Sequence, residues 1–247
     1  MRSNQKVALI IPTLREAQCL PILLQQVRAQ LAASEIPFEL LVVDDDSRDG
    51  TEEIVRSIAA QDSRIRLLVR RAERGLAGAI LYGWQHTDAS ILGVMDADLQ
   101  HPPELLARLL SAIHAGSDLA VASRYIRGGA AAGFTHIRWA MSAVSTWIAR
   151  RLQPAALQVR DPLSGFFFVR RSCVENILFR PTGFKLLLEI LVRGRIRSVR
   201  EIPYTFRRRA GGRSKAGLRV AWDFLQLLAR LYRARLLANR MAHAPAD

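Results

Sequence analysis

Two aspartates separated by one residue carry the sharpest chemical signal in the sequence. Asp96 and Asp98 follow an apolar run and lead into a turn with two prolines, in the stretch MDADLQHPPE. Where a chain leaves a regular strand, two such carboxylates can point into one cleft, and their oxygens suit Mg²⁺ or Mn²⁺. A cation held there between two phosphates would neutralise a nucleoside diphosphate as it leaves a substrate. The ordinary alternative is a solvated turn ahead of the next helix, with His101 either supporting the aspartates or solvated.

A second acidic cluster follows another apolar run, in VVDDDSRDGT. Asp44 or Asp45 could accept hydrogen bonds from a nucleobase or a ribose. Thr51 stands where the next helix would begin and is predicted to be its N-cap. Because two acidic clusters each follow a predicted strand, a ligand site is a better explanation than a single solvated turn.

Short apolar segments that alternate with amphipathic segments must position these acids. The predicted strands are 6–11, ended by Pro12, then 38–47, 65–70, 91–98 and 118–125. The predicted helices are 17–33, 51–61, 76–84 and 104–116. This alternation predicts an α/β fold with a mostly parallel sheet and helices on both faces. Ligands bind such sheets beyond the carboxyl ends of the strands, which is where both acidic clusters fall.

The charge of the chain is strongly basic and unevenly distributed. The 247 residues are 50% hydrophobic, enough for one sizeable core, and Lys plus Arg number 36 against 22 acids, a net charge of +14. Residues 193–240 hold 14 Arg or Lys against two acids. A phosphate-rich ligand, an anionic membrane face and a solvated arginine surface all fit this excess. Nucleic acid is not expected as a partner, because no recognised motif or aromatic platform accompanies the charge.

Cysteine content and hydropathy bear on location. Cys19 and Cys173 match no disulfide framework or metal spacing, so they are predicted to be buried thiols in a reducing compartment. The longest uncharged stretch, 75–87, is too short to cross a bilayer, and the N-terminus lacks the features of a signal peptide. These features predict a cytoplasmic protein.

The order of eight motifs resembles that of the family 2 glycosyltransferases, and within them the dolichol-phosphate (polyprenol-phosphate) mannosyltransferases. The motifs are PTLRE (12–16), VDDDSRDGT (43–51), RGLAGAI (74–80), MDADLQHPPE (95–104), SRY (123–125), DPLSGFFFVRR (161–171), GFK (183–185) and FRRRAGGRSK (206–215). The resemblance runs from about residue 6 to residue 216.

This resemblance implies a GT-A fold, a nucleotide-sugar donor, usually GDP-mannose, and a divalent cation. It also implies that the sugar is transferred with inversion onto a polyprenyl or dolichyl phosphate at the cytosolic face of a membrane. The chain would divide into a catalytic domain, 1–216, and a basic amphipathic C-terminal helix and tail, 217–247. Another nucleotide sugar, such as UDP-glucose or UDP-N-acetylglucosamine, or a hydroxyl acceptor, remains the alternative.

The resemblance also assigns roles to individual residues. The donor-binding positions are Pro12, Leu14, Glu16, Asp44, Asp45, Asp96, Asp161, Arg209 and Lys215, with Ser214 in the same closing element as the last two. The metal positions are Asp96, Asp98 and Gln100, and the catalytic positions are Asp98, Arg124 and Arg138. Leu14-Arg15 replaces the Tyr-Asn pair common in the family, so no aromatic contact to the base is expected from this motif. Glu189 either reaches the sugar pocket or is an exposed acid on a helix.

Two segments are predicted to meet the membrane. The segment 136–152 contains two tryptophans, a broad apolar surface and basic ends, and a second stripe of apolar residues with surrounding arginines runs over 218–236. Such helices can lie on anionic lipid as a peripheral association, or can bind a small membrane-anchoring subunit. A phosphate acceptor is already anionic, so no general base is expected. A hydroxyl acceptor would require one.

Overall fold

The computed structural model describes residues 5–33, 36–133, 135–179, 185–207 and 223–233. The strands are β1 (Val7–Thr13), β2 (Phe38–Asp44), β3 (Ile65–Val69), β4 (Ile91–Val94), β5 (Leu119–Ser123), β6 (Phe167–Arg170) and β7 (Val199–Pro203). The helices are α1 (Leu20–Ala32), α2 (Thr51–Gln61), α3 (Leu76–Gln85), α4 (Leu106–His114), α5 (His136–Leu152) and α6 (Leu186–Arg193). Residues 223–233 are also helical and are called α7.

The strands form one sheet in the order β3-β2-β1-β4-β6-β5-β7. Every pairing between neighbours is parallel except the two made by β6, which is antiparallel to both β4 and β5. The strand order reverses direction at β1, which has β2 on one side and β4 on the other. A crevice at such a switch point is where open α/β sheets bind ligands. The predicted α/β class with a mostly parallel sheet is confirmed.

The core lies in two layers because successive side chains of a strand point to opposite faces. Alternate β1 residues from Val7 to Ile11 pack with α1, α2 and α4, whereas Ala8 and Ile10 pack with α3 and α6. A third apolar cluster joins α5, α6 and α7 at one side of the molecule. Both cysteines are buried and free, as predicted.

Several predicted element boundaries are wrong, among them the end of β2, which lies at Asp44 and not at residue 47, and the start of α1, which lies at Leu20 and not at residue 17. β1 continues through Pro12 to Thr13. The Ile10 carbonyl oxygen accepts a hydrogen bond from the Met95 N–H, and the backbone of Pro12, two residues later, faces the same side of β1. Because β4 has already ended there, the N–H that proline lacks is not needed for strand pairing. β4 ends at Val94 and not at residue 98.

The start of α2 differs as well. Thr51 is the first helical residue and not the N-cap, a position taken by Gly50 with a φ of 90°. A residue with a Cβ atom rarely adopts that backbone conformation, whereas glycine does so readily. The Asp49 carboxylate accepts the Thr51 backbone N–H at 3.2 Å and so satisfies one of the N–H groups at this end of the helix.

Candidate functional site

The carboxyl ends of β1, β2, β4 and β5 meet at one edge of the sheet, because these strands are parallel. Asp44 ends β2, Asp96 and Asp98 follow β4, and Arg124 follows β5. The topology therefore gathers residues from three separated motifs at the switch-point edge.

The loop after β4 is a tight turn that orients both aspartates. The Asp96 backbone N–H donates to Nδ1 of His101 at 3.2 Å, and the Gln100 backbone N–H donates to Oδ1 of Asp98 at 3.1 Å. Leu99 has a φ of 60°, the left-handed conformation that is uncommon for a residue with a side chain. Strain of this kind is often found at functional loops.

His101 is enclosed beneath this loop. Its ring stacks on Phe166 and meets the edges of Tyr204 and Phe206, and burial lowers its pKa to about 4. The ring is therefore neutral at pH 7. The sequence left open whether His101 was solvated, and the structure excludes that alternative.

Gln100 connects the loop to the segment after β7. Its side-chain Nε2 donates to the Arg207 carbonyl oxygen at 2.8 Å, and the Arg207 N–H donates to the Gln100 carbonyl oxygen at 3.0 Å. The Arg207 guanidinium also pairs with Glu104. Gln100 is only 2% exposed, so its amide is held in one orientation by the chain that leads into the predicted basic element.

Arg124 and Asp161 form a buried, bidentate ion pair. The guanidinium Nε and Nη2 each donate to an Asp161 oxygen at 2.7 Å, and the Arg124 backbone N–H adds a bond of 3.1 Å. Burial opposes the charge on Arg124, but the hydrogen bonds that Arg124 donates to Asp161 outweigh it and raise the Arg124 pKa. The geometry thus joins two residues that the sequence assigned to separate roles.

The two predicted base-pocket aspartates have internal partners. Asp44 accepts hydrogen bonds from the Ser47 backbone and hydroxyl, and the Ser47 hydroxyl accepts the Arg15 N–H at 2.7 Å, which ties the ends of β1 and β2 together. Asp45 pairs with Arg70 at 2.8 Å and accepts the Gly75 N–H at 2.7 Å. Burial raises the Asp45 pKa, although both of these contacts oppose the rise.

The remaining predicted donor residues line the ends of β1 and α1. Pro12 is buried in β1 opposite Val43, and Leu14 is half-buried. Glu16 is buried, and its carbonyl oxygen accepts the N–H groups of Cys19 and Leu20 at the start of α1.

Glu189 is buried on α6 and pairs with Arg193 at 3.2 Å, so the alternative of an exposed helix acid is wrong. Near it in sequence, the Lys185 ammonium donates to the Leu163 carbonyl oxygen at 3.1 Å.

Several predicted residues cannot be placed. Arg138 lies in α5, but its side chain is not among those described, and Arg209, Ser214 and Lys215 lie outside the described residues. The proposed C-terminal unit, 217–247, is described only over 223–233. Its separation as a domain stays a prediction.

The residues after β4 supply some, but not all, of the oxygen ligands that a hard divalent cation needs. Within the described ranges no cluster of three or more His, Cys, Asp or Glu side chains could hold a metal ion. Asp96 and Asp98 offer two carboxylates, and Mg²⁺ sites that use substrate phosphates as further ligands need no more than one or two. The donor set therefore suits a cation shared with a diphosphate.

An apolar groove lies beside Tyr125, the residue after Arg124. The cavity has a volume of about 610 Å³ and lies between α5 and the segment that follows it. Its lining comprises Tyr125, Trp139, Ala143, Thr146, Trp147, Arg150, Arg151, Pro154, Leu157 and Arg160. Trp139 and Trp147 are 53% and 66% exposed. Apolar side chains with arginines among them suit a ligand that is apolar along its length and anionic at one end.

Solved structures with the same architecture include glucosyl-3-phosphoglycerate synthase of Mycobacterium tuberculosis in complex with Mn²⁺ and UDP-glucose. That structure superposes with a TM-score of 0.69 at 18% identity, covering 92% of this chain and 78% of the other. The fold is of the GT-A type found in glycosyltransferases.

The family model for glycosyl transferase family 2 matches residues 8–178, and the chain belongs to that family. The dolichol-phosphate mannosyltransferase of Pyrococcus furiosus is 38% identical over 226 residues, which is 92% of this chain and 63% of that protein. The dolichol-phosphate mannosyltransferase of Mycosarcoma maydis is 33% identical, with 94% and 81% covered. The polyprenol monophosphomannose synthase of Mycolicibacterium smegmatis is 34% identical, with 87% and 82% covered.

Proposed function

We propose that this chain transfers a hexose, with inversion, from a nucleotide sugar to a polyprenyl or dolichyl phosphate. Mannose from GDP-mannose is the donor we favour, because the relatives at 33–38% identity are named for that sugar. UDP-glucose and UDP-N-acetylglucosamine are the alternative donors.

One observation carries the proposal. The arginine-rimmed apolar groove begins at Tyr125, while the preceding residue, Arg124, belongs to the buried pair at the switch-point edge. A lipid phosphate needs an apolar surface that runs up to a polar reaction centre, and this arrangement supplies both. The combination also argues against a small, fully polar acceptor.

Asp96 and Asp98, with the Gln100 amide oxygen, would hold Mg²⁺ or Mn²⁺ against the donor diphosphate. The cation would supply positive charge where negative charge grows on the leaving group. The Mn²⁺ bound with UDP-glucose in the Mycobacterium tuberculosis enzyme supports a divalent cation in general.

The reaction we propose is a single displacement. An oxygen of the acceptor phosphate forms a bond to the anomeric carbon as the bond from that carbon to the diphosphate oxygen breaks, which inverts the configuration. The acceptor is already deprotonated at neutral pH, so the protein must orient it and exclude water without removing a proton. By the family resemblance, Arg138 would orient the acceptor, and Arg209, Ser214 and Lys215 would close on the donor phosphates.

We further propose a peripheral location on the cytosolic face of a membrane, reached directly or through a small membrane-anchoring subunit. No helix in the described part of the chain is both long and apolar enough to cross a bilayer. Exposed apolar side chains on α5 and α7, among them Trp147 and Leu225, support contact with lipid or with an apolar partner.

The test is a transfer assay with purified protein, polyprenyl phosphate, and radiolabelled GDP-mannose, UDP-glucose or UDP-N-acetylglucosamine. We expect labelled lipid from one donor, lost on addition of chelator and restored by Mg²⁺ or Mn²⁺. Asp98→Ala should abolish transfer, whereas Asp88→Ala, an exposed aspartate before the amino end of β4, should not. Absence of labelled lipid with every donor, from folded protein, would refute the proposal.

A further inference from the structure

Two residues with no part in the proposed displacement lie next to Asp96: His101 at its backbone and Gly165 at its carboxylate. The Asp96 backbone N–H lies two residues beyond Val94, the last residue of β4. His101 accepts this N–H through Nδ1 at 3.2 Å. This acceptor therefore stabilises the turn that presents the Asp96 carboxylate.

The hydrogen bond also determines the tautomer of His101. Because Nδ1 is the acceptor, the ring proton is on Nε2. Nε2 lies 3.9 Å from Oδ2 of Asp96, beyond hydrogen-bond distance but on the side of the carboxylate. The ring cannot swing away, since it is 1% exposed and is enclosed by Phe166, Tyr204 and Phe206.

The backbone of Gly165 lies next to the same Asp96 carboxylate. A Cβ added at Gly165 would lie 3.1 Å from Oδ2 and 3.4 Å from Oδ1 of Asp96. A side chain there would press on the carboxylate, so the absence of one leaves the space that Asp96 occupies.

We propose that His101 and Gly165 are positioning residues that fix the Asp96 carboxylate for cation binding. The proposal rests on the proposed function, because it assumes that the cation binds after β4. Neither residue is assigned contact with the cation or with the sugar.

A purely structural role for His101 and a positioning role predict different effects of substitution. Four aromatic rings packed together would tolerate phenylalanine at this position, because it matches imidazole in planarity and adds apolar surface. Cation binding would not, since only a ring with an acceptor holds the Asp96 N–H. Asparagine is the informative substitute, because its Oδ1 lies close to the position of Nδ1 in histidine.

The experiment measures Mn²⁺ affinity by calorimetry in the presence of GDP, with circular dichroism and thermal unfolding as checks on the fold. We expect His101→Phe to weaken Mn²⁺ binding about 10- to 100-fold, as is typical when a supporting hydrogen bond to a ligand is lost. His101→Asn should retain most of the affinity. Gly165→Ala should weaken binding in a folded protein and decides the case if His101→Phe does not fold.

Asp98→Ala separates this proposal from the one it rests on. If Asp98→Ala binds Mn²⁺ as tightly as the unmodified chain does, the proposed metal site is wrong. If Asp98→Ala loses Mn²⁺ while folded His101→Phe and Gly165→Ala keep it, the cation site stands and the positioning roles are refuted.

Discussion

The Arg124 guanidinium and the Asp161 carboxylate form a buried ion pair in which each group is the counter-charge of the other. Asp161 is fully buried, and the two side chains share two bonds of 2.7 Å. Removing both charges from water is costly, so each residue is stable in the interior only with its partner. Arg124 therefore has a part in stability, beside the catalytic role that the family resemblance implies and that stays a prediction.

We predict that Arg124→Ala lowers the free energy of unfolding by about 3–5 kcal/mol, because it leaves Asp161 buried without its counter-charge. Denaturant unfolding measures the change. The exposed Arg127→Ala is the matched control and should alter stability by less than about 0.5 kcal/mol. Unchanged stability together with lost transfer would instead show that Arg124 contacts substrate directly.

A pH effect is expected at Asp62, where the turn between α2 and β3 begins. Hydrogen bonds from Arg64 lower the Asp62 pKa from 3.8 to about 2. Because the pKa is lower in the folded chain, the ionised carboxylate stabilises the fold fully above about pH 4, and this stabilisation is lost as pH falls through 2. Asp62→Asn should therefore cost about 1–2 kcal/mol at pH 7 and little at pH 2.

Chemical unfolding at several pH values measures this difference. Glu175→Gln, at an exposed position, serves as the control and should show no comparable dependence on pH. An equal loss for Asp62→Asn at pH 7 and pH 2 would contradict the assignment.

At this scale the sequence indicated the chemical types of the site residues but not their partners. The D-x-D motif and the acids after β2 follow their strands as expected. The pairing of Arg124 with Asp161 spans 37 residues, and that of Gln100 with Arg207 spans 107, so no local pattern could reveal either. The sequence left two alternatives for His101, because the rings that bury it, Phe166, Tyr204 and Phe206, lie far from it along the chain.

The β4–β6 pair is the element on which the D-x-D loop rests. Gly93 of β4 lies opposite Phe168 of β6, and a Cβ on Gly93 would come within 2.2 Å of the Phe168 ring. Glycine usually weakens a strand, but here it provides the space for a large, fully buried side chain.

Gly93→Ala should therefore destabilise the fold by about 1–3 kcal/mol through overpacking. Phe168→Leu in the same chain should recover part of that loss, because the smaller side chain leaves room for the new methyl group. A double-mutant cycle from thermal or denaturant unfolding measures the coupling. Additive losses would mean that the two positions do not compete for space.

The sequence predicted β1 to β5 as apolar runs that end at polar segments, and α1 to α5 by their length and the spacing of their apolar residues. It did not predict β6 or β7 as strands. β6 is an apolar run buried on both faces, which periodicity cannot distinguish from other buried segments, and the edge strand β7 has only one buried residue. β6 is antiparallel to its neighbours because of the path that the chain takes through α5. No local sequence pattern indicates that path.

For the whole molecule, α5 and α7 are held side by side by the third apolar cluster. α7 packs Phe224, Leu227, Leu228 and Leu231 inward, so Leu225 and Tyr232 of the predicted stripe lie on its outer side. The exposed tryptophans of α5 and the arginines of the groove complete a surface that is both apolar and basic. Such a surface suits an anionic bilayer.

We predict that the protein sediments with vesicles containing anionic lipid at low salt. Each basic residue near the bilayer contributes about 1 kcal/mol, and high salt should weaken binding by screening that attraction. Insertion of Trp139 and Trp147 should leave a salt-resistant fraction and shift Trp fluorescence to the blue.

A variant carrying Trp139→Ser and Trp147→Ser should lose the salt-resistant fraction. Leu178→Ser is the matched control, because Leu178 is 80% exposed and lies outside α5, α7 and the groove. If the unmodified chain neither binds vesicles at low salt nor shifts its fluorescence, these helices form a surface for a protein partner.

The most direct measurement of the central claim is a competition between two acceptors that differ only at the head group. Purified protein is given the radiolabelled donor that is active in the transfer assay, with equal amounts of polyprenyl phosphate and the corresponding polyprenol. We predict that the label enters only the phosphate lipid, because a phosphate is already anionic at neutral pH, whereas a hydroxyl acceptor must lose a proton to a general base. Label on the polyprenol would contradict the assignment of a lipid phosphate as the acceptor.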